Sequence, residues 1–206
     1  MAVALDGRIA VITRSRGRAR LTIVTRDGAE RRSIAESIDV RGTAAWSPDG
    51  DWIVTAGRDS QGPGLFKVPV DGGPALRLAS DQALDPVWSP DGSLIVYAGG
   101  LAKGTAPLLA VRPDGQAVNL PAIRASAQGG GCVRFLPGRQ AFVYLLGAVG
   151  QQGFWLFDVA TQKSRQLARL PGDATTNSFD ITPDGKHIVF DRLREHSDVL
   201  MIDLPE

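Results

Sequence analysis

The chain has 206 residues, 43% of them hydrophobic, and a formal charge of +1 at pH 7. That length can bury a real core, and the balanced charge removes any general pull toward nucleic acid or acidic membrane. The single cysteine, Cys132, excludes an intrachain disulfide and selects no compartment. No basic, apolar leader and no apolar run of membrane-spanning length is present, so neither a secretion signal nor membrane insertion is expected.

In chain order, the segments repeat one pattern. Val3-Ala4-Leu5-Asp6-Gly7 opens it faintly. Trp46-Ser47-Pro48-Asp49-Gly50 and Trp88-Ser89-Pro90-Asp91-Gly92 are the clear copies, and Phe135-Leu136-Pro137-Gly138 and Ile181-Thr182-Pro183-Asp184-Gly185 are degraded ones. Gly7 to Gly50 is 43 residues, Pro48 to Pro90 is 42, Pro90 to Pro137 is 47 and Pro137 to Pro183 is 46. A recurrence of this length is the period of a propeller blade.

Each copy predicts the same unit. A short strand runs into the turn, where proline presets the backbone, aspartate suits the next position and glycine takes the positive φ. An apolar second strand follows: Arg8–Ile12, Trp52–Thr55, Leu94–Tyr97, Ala141–Tyr144 and His187–Phe190. After a variable loop comes a third strand: Leu21–Thr25, Leu65–Val70, Pro107–Val111, Phe154–Val159 and Val199–Leu204. A more polar fourth strand is predicted at Glu30–Ile34, Ala75–Leu78, Gln116–Leu120 and Ser164–Leu167. Runs such as Leu108-Leu109-Ala110-Val111 and Phe154-Trp155-Leu156-Phe157 predict third strands buried on both faces. Trp46, Trp88, Phe135 and Ile181 recur at one position and are expected to wedge between neighbouring blades.

The expected fold is therefore an all-β propeller of four-stranded antiparallel blades. It forms one domain over residues 1–206, with repeats at about 1–38, 39–84, 85–130, 131–177 and 178–206. That is about five blades, the last incomplete. Two arrangements stay open: a small propeller with an open seam, or the C-terminal part of a larger one. The second is preferred, because an unpaired edge strand invites association.

At these residues the chain resembles the TolB-type propeller repeat. Trp-Ser-Pro-Asp-Gly followed by Trp52-Ile53-Val54 or Leu94-Ile95-Val96-Tyr97, then Leu65-Phe66-Lys67-Val68-Pro69-Val70-Asp71-Gly72-Gly73, carries the likeness over nearly the whole chain. The ending, from Asp180 through Ile202-Asp203-Leu204-Pro205, is similar to propellers fused to bacterial serine/threonine kinases or winged-helix regulators. The resemblance implies a sensory or partner-binding module and leans toward a periplasmic setting, while the residues themselves select no compartment. Such motifs specify the repeat better than the function.

No catalytic constellation accompanies the repeat. Gly-x-Ser-x-Gly, His-Glu-x-x-His, Gly-x-x-x-x-Gly-Lys and Cys-x-x-Cys are all absent. His187 and His196 are the only histidines, and Cys132 has no evident activating base. Asp49, Asp91 and Asp184 are explained by their turns. No enzyme activity, metal or cofactor is expected. The alternatives are the propeller domain of a prolyl-oligopeptidase-type peptidase and a small propeller hydrolase.

Binding is expected on the rim opposite the Pro-Asp-Gly turns, where variable loops sit on a rigid scaffold. Those loops carry Arg14, Arg16, Arg18, Arg58, Asp59, Lys103, Gln151, Gln152, Arg192, Arg194 and Glu195. Their charges and amides predict a protein or peptide partner. The first 41 residues hold nine arginines against five acidic residues. No aromatic residues interleave with them, so a solvated face is expected there and no nucleic acid partner. Association through the unpaired edge of the last blade is a further expectation.

Overall fold

The Pro-Asp-Gly turn builds the same small network wherever a serine or threonine precedes it. Trp52 N–H donates to Ser47 Oγ at 2.9 Å, Asp51 N–H to Asp49 Oδ1 at 3.0 Å and Gly50 N–H to the Ser47 carbonyl at 3.0 Å. Leu94 N–H and Ser93 N–H repeat this on Ser89 and Asp91, and His187 N–H and Lys186 N–H on Thr182 and Asp184. Gly50, Gly92 and Gly185 hold φ of 78°, 73° and 69°, the left-handed conformation that closes the turn. The serine or threonine thus replaces backbone partners that a tight turn leaves unpaired.

The computed structural model describes residues 1–194 except Arg16, residues 127–130, Val149 and Asp173. All its regular elements are strands. The first sheet comprises β1 (Ala2–Val3), β2 (Ile9–Ser15), β3 (Arg18–Val24) and β4 (Arg31–Ile34). The second comprises β5 (Asp39–Trp46), β6 (Trp52–Asp59), β7 (Gly62–Pro69) and β8 (Leu76–Ser80). The third has β9 (Leu84–Trp88), β10 (Ile95–Ala98), β11 (Thr105–Val111), β12 (Ala117–Val118) and β13 (Arg124–Ser126). The fourth has β14 (Val133–Phe135), β15 (Ala141–Leu146), β16 (Gly153–Asp158) and β17 (Lys163–Arg169). Strands β18 (Phe179–Ile181) and β19 (Ile188–Phe190) form a two-stranded fifth sheet among the described residues.

Paired strands are antiparallel throughout, and apart from β13 each sheet runs in sequence order through hairpins. The first strands β1, β5, β9, β14 and β18 pack on one another in succession. The sheets radiate from that inner stack, which is the architecture of a β-propeller. In the third sheet only Ala117–Val118 of the predicted fourth strand Gln116–Leu120 is a strand, and an unpredicted strand, β13, follows it. Strands β12 and β13 both pair with β11, and Pro121 lies between them. Proline has no N–H to donate, so it cannot continue the ladder. The expected third strand of the last repeat, Val199–Leu204, and His196 lie outside the described residues.

The core is divided among the interfaces. Ile34, Val40, Trp46, Ile53 and Phe66 form a buried cluster between the first and second sheets. Val54, Leu65, Ile95, Tyr97 and Val111 fill the second interface. Val96, Leu108, Phe142, Tyr144 and Phe157 fill the third, and Val143, Leu145, Phe154 and Phe179 the fourth. The recurring wedge position joins each of these clusters. Trp46 also donates its indole N–H to the Ala2 carbonyl of the preceding sheet at 3.1 Å. Trp88, Phe135 and Ile181 join the next three clusters in turn.

In the second, third and fourth sheets the doubly buried strand is the second one, not the third as the apolar runs predict. Strand β10 is buried at all of Ile95–Ala98, and β15 is buried from Ala141 to Leu145. In β11, by contrast, Leu109 is 41% exposed, and in β16 Trp155 and Leu156 are only half-buried. Sheets that radiate from an inner stack separate with distance, so a strand nearer that stack is covered on both faces. Hydrophobic sequence alone does not carry radial position.

The basic segment at the start of the chain is partly absorbed by this packing. Arg8 Nη2 donates to the Gly50 carbonyl at 2.9 Å, and its guanidinium lies 5.0 Å from the Trp46 ring centroid. Arg32 donates to the Val70 and Asp71 carbonyls of the second sheet. These two arginines tie the first sheet to the second, where a solvated face was expected.

The turns predict a pH response. Partial burial pulls the Asp91 carboxyl up, but the Ser89 hydroxyl, the Ser93 N–H and hydroxyl and Gln140 together bring it down to about 2, from 3.8. A carboxylate depressed in the folded state stabilises the fold above its unfolded pKa and loses that contribution as pH falls through the folded value. Asp91 is solvent-exposed, so screening limits the size of the effect. We expect Asp91→Asn to lower the urea midpoint at neutral pH. Its difference from wild type should shrink between about pH 4 and pH 2. A difference that stays constant over that window would contradict the assignment.

Candidate functional site

The ends of the second strands and the starts of the third strands lie on the rim opposite the turns, as the hairpin registers require. There, Asp39 pairs with Arg58 across β5 and β6, and Arg58 with Pro63 across β6 and β7. A cleft of about 270 Å3 opens at this point between the second and third sheets, lined by Arg41, Gly57, Arg58, Pro63, Gln82, Ala83 and Leu84. It is smaller than a typical small-molecule pocket of roughly 300–1,000 Å3. Its size suits one or two side chains of a partner.

The floor is apolar: Pro63, Ala83 and Leu84 with the bare backbone of Gly57. A Cβ on Gly57 would come within 3.1 Å of the Asp39 carbonyl and 3.5 Å of Ile38, so the close approach of β5 and β6 favours glycine there. Arg41, Arg58 and Gln82 are exposed around the floor. Arg41 donates to Asp39 Oδ2 through Nη2 at 2.7 Å and through Nε at 3.1 Å. Arg58 makes no side-chain hydrogen bond or ion pair among the described residues.

The wall formed by the hairpin between β6 and β7 is held from outside. Arg77 bonds Asp59, the Gly62 carbonyl at 3.0 Å and the Pro63 carbonyl at 2.8 Å, and lies 4.8 Å from the Phe66 ring centroid. Burial raises the Asp59 carboxyl, but the Arg77 guanidinium and the Gln61 N–H outweigh it and hold it below its ordinary range. Asp59 is therefore occupied in a clasp that shapes the loop. Asp39 is likewise held below its ordinary range, first by the Ala19 N–H and then by Arg41. Through that 2.9 Å bond from Ala19 it also joins the first sheet to the second.

The other predicted rim residues fall into separate places. Arg14 and Arg18 are exposed at the rim end of the first sheet, facing Ala19 and Ser15 across the β2–β3 ladder. Lys103 is exposed in the hairpin before β11, with φ of 52°. Gln151 is exposed, and Arg192 and Arg194 are exposed beyond β19. Arg16 and Glu195 lie outside the described residues. Gln152 is only 2% exposed. Its amide donates to the Thr176 carbonyl at 3.0 Å and accepts from the Thr176 N–H at 2.7 Å, so it replaces a strand between the fourth and fifth sheets. A side chain used this way is not presented to a ligand. Arg41 and Gln82 were not singled out from sequence. The bulge that displaces β5 between Arg41 and Ala44 gave no local signal beyond Gly42.

At the inner end of the rim, Asp85 is 7% exposed and bridges three sheets. It accepts from Thr43 Oγ1 of the second sheet at 3.1 Å and from the Gly131 N–H leading into the fourth at 3.1 Å. Beside it, Cys132 is 3% exposed, and burial, reinforced by Asp85, pushes its thiol up to about 12. A thiol is nucleophilic only as thiolate. Iodoacetamide at pH 8 should therefore leave Cys132 unlabelled in the native protein and label it fully in urea, as read by mass spectrometry. Rapid native labelling would overturn this placement. Among the described residues, no group of three or more His, Cys, Asp or Glu side chains is placed to hold a metal ion. No described helix is long and apolar enough to cross a membrane.

No protein-family model and no curated protein matches the chain by sequence. Solved structures match it in shape. A structure assigned as TolB from Agrobacterium tumefaciens aligns with a TM-score of 0.70 at 20% identity, covering 93% of this chain and 73% of that one. TolB from Acinetobacter baumannii aligns with a TM-score of 0.70 at 19% identity, over 93% of this chain and 48% of that one. An oligogalacturonate lyase in complex with manganese aligns with a TM-score of 0.67 at 17% identity, over 88% and 55%. The chain thus spans about three quarters of the first and about half of the other two. Identities this low establish the architecture alone, and in architecture the chain is a TolB-like β-propeller.

Proposed function

We propose that the chain is a non-catalytic β-propeller module that binds a protein or peptide through its rim, its repeats acting as one domain. The observation that carries this reading is the rim cleft between the second and third sheets. There Arg58 has no side-chain hydrogen bond or ion pair among the described residues, beside a small apolar floor and a hairpin clasped by Arg77. Arg14 and Arg18 extend the same charge along the rim of the first sheet. A rigid scaffold that presents ordered loops binds at low ordering cost. The shared architecture with TolB structures supports a binding role, while the lyase neighbour shows that the architecture also serves an enzyme.

Affinity capture with cross-linking tests the reading. Wild type and a variant with Arg14, Arg18 and Arg58 all changed to Ala are compared against the same extract. Proteins that are captured by wild type and lost with the variant are the expected result. Identical partner lists from two equally folded baits would refute the rim assignment.

A further inference from the structure

We infer that the cleft between the second and third sheets is a receptor for an acidic side chain of a peptide partner, clamped by Arg58 and Arg41. This rests on the rim-binding reading above and names the partner's chemistry.

The lining supplies two guanidinium groups and one amide, and no carboxylate. Arginine presents its N–H groups in a planar fork that matches a carboxylate, which makes it suited to bidentate capture of aspartate or glutamate. Arg58 offers that fork unoccupied among the described residues. Arg41 is held by Asp39 through Nε and Nη2, which fixes its direction and leaves Nη1 for a second acceptor. Of the neighbouring acids, Asp39 and Asp59 each already bond an arginine, and Asp85 is buried between Thr43 and Gly131. Asp81 is exposed beside Gln82 and does not line the cleft.

The apolar part of the cleft narrows the choice of ligand. Pro63, Ala83 and Leu84 form a floor that covers methylene groups, which a glutamate side chain carries and a free inorganic anion lacks. The cleft is also shaped in advance. Arg77 fixes one wall, and the opposite wall, Gln82-Ala83-Leu84, is bounded by Asp81 and Asp85, both in the left-handed region with φ of 89° and 46°. A non-glycine residue held there is costly unless its surroundings impose it, and such positions gather at binding sites. At the equivalent rim positions of the third and fourth sheets the residue matching Arg58 is Gly100 or Gly147, which carry no guanidinium.

The test is fluorescence anisotropy with fluorescein-labelled oligoglutamate, with labelled oligolysine and oligogalacturonate in parallel. Wild type should bind oligoglutamate in preference to both, and added salt should weaken the binding. Arg58→Glu should weaken it at least about tenfold, and Arg41→Glu by a smaller factor, since Asp39 already draws on Arg41. Arg31→Glu, on the outer strand of the first sheet, serves as a control of equal charge change and should leave the affinity unchanged. Circular dichroism confirms that each variant is folded. Equal binding of oligogalacturonate would overturn the peptide assignment in favour of any polyanion. Oligoglutamate binding that survives Arg58→Glu but is lost with Arg14→Glu would overturn the cleft and leave the rim reading intact. Absence of oligoglutamate binding, with partners still captured through the rim arginines, would likewise overturn this inference alone.

Discussion

Phe142→Ala should cost about 3–5 kcal/mol of folding stability, the range found when a buried aromatic is truncated and its cavity only partly collapses. Phe142 is fully buried in the interface between the third and fourth sheets. Its ring centroid lies 5.0 Å from that of Phe157, 5.5 Å from Phe135 and 6.2 Å from Tyr144, mostly in edge-to-face geometry. Three aromatic partners, all in the fourth sheet, lose contact at once. Guanidinium unfolding followed by tryptophan fluorescence reads the loss as a lower midpoint. A change below about 1 kcal/mol would mean that Phe142 is not packed into this core.

Gln152→Ala is the second large effect. It leaves the Thr176 N–H and carbonyl without the partners they have now, both inside a residue that is 2% exposed. An orphaned buried polar group costs about 1–3 kcal/mol, so losing both bonds should cost about 2–4 kcal/mol if water does not enter. Gln152→Glu discriminates this role from ligand binding. A carboxylate can accept from the Thr176 N–H but cannot donate to its carbonyl, so the variant should also be destabilised at neutral pH. If Gln152 instead faced a ligand, thermal denaturation would report little change for either substitution.

The difference between what sequence conveyed and what it did not follows from the range of the interactions. The blade order was legible because each turn is a local device. The Ser47, Ser89 and Thr182 networks close within five residues, so the same letters give the same geometry. The wedge position was legible because it recurs in phase with the turn. The doubly buried strand was not, because burial depends on the neighbouring sheet and both second and third strands are apolar. The site was legible only as a rim. Asp59 and Gln152 look like surface polar residues in sequence, yet one is clasped by Arg77 eighteen positions away and the other replaces a strand at Thr176. Arg41 and Gln82 reach the cleft through pairings that no local pattern encodes.

The partition of the core has a consequence for how the molecule comes apart. Among the described residues, each apolar cluster is shared by two adjacent sheets and by no third. Free energy is then close to a sum of neighbour couplings along a row, as in other repeat architectures, and cooperativity decays with the number of sheets crossed. Amide exchange should accordingly be slowest in β6, β10 and β15, each coupled on two sides. It should be faster in β2 and fastest in β19, whose Val189 is 61% exposed. Loss of protection would spread from sheet to sheet as discrete steps.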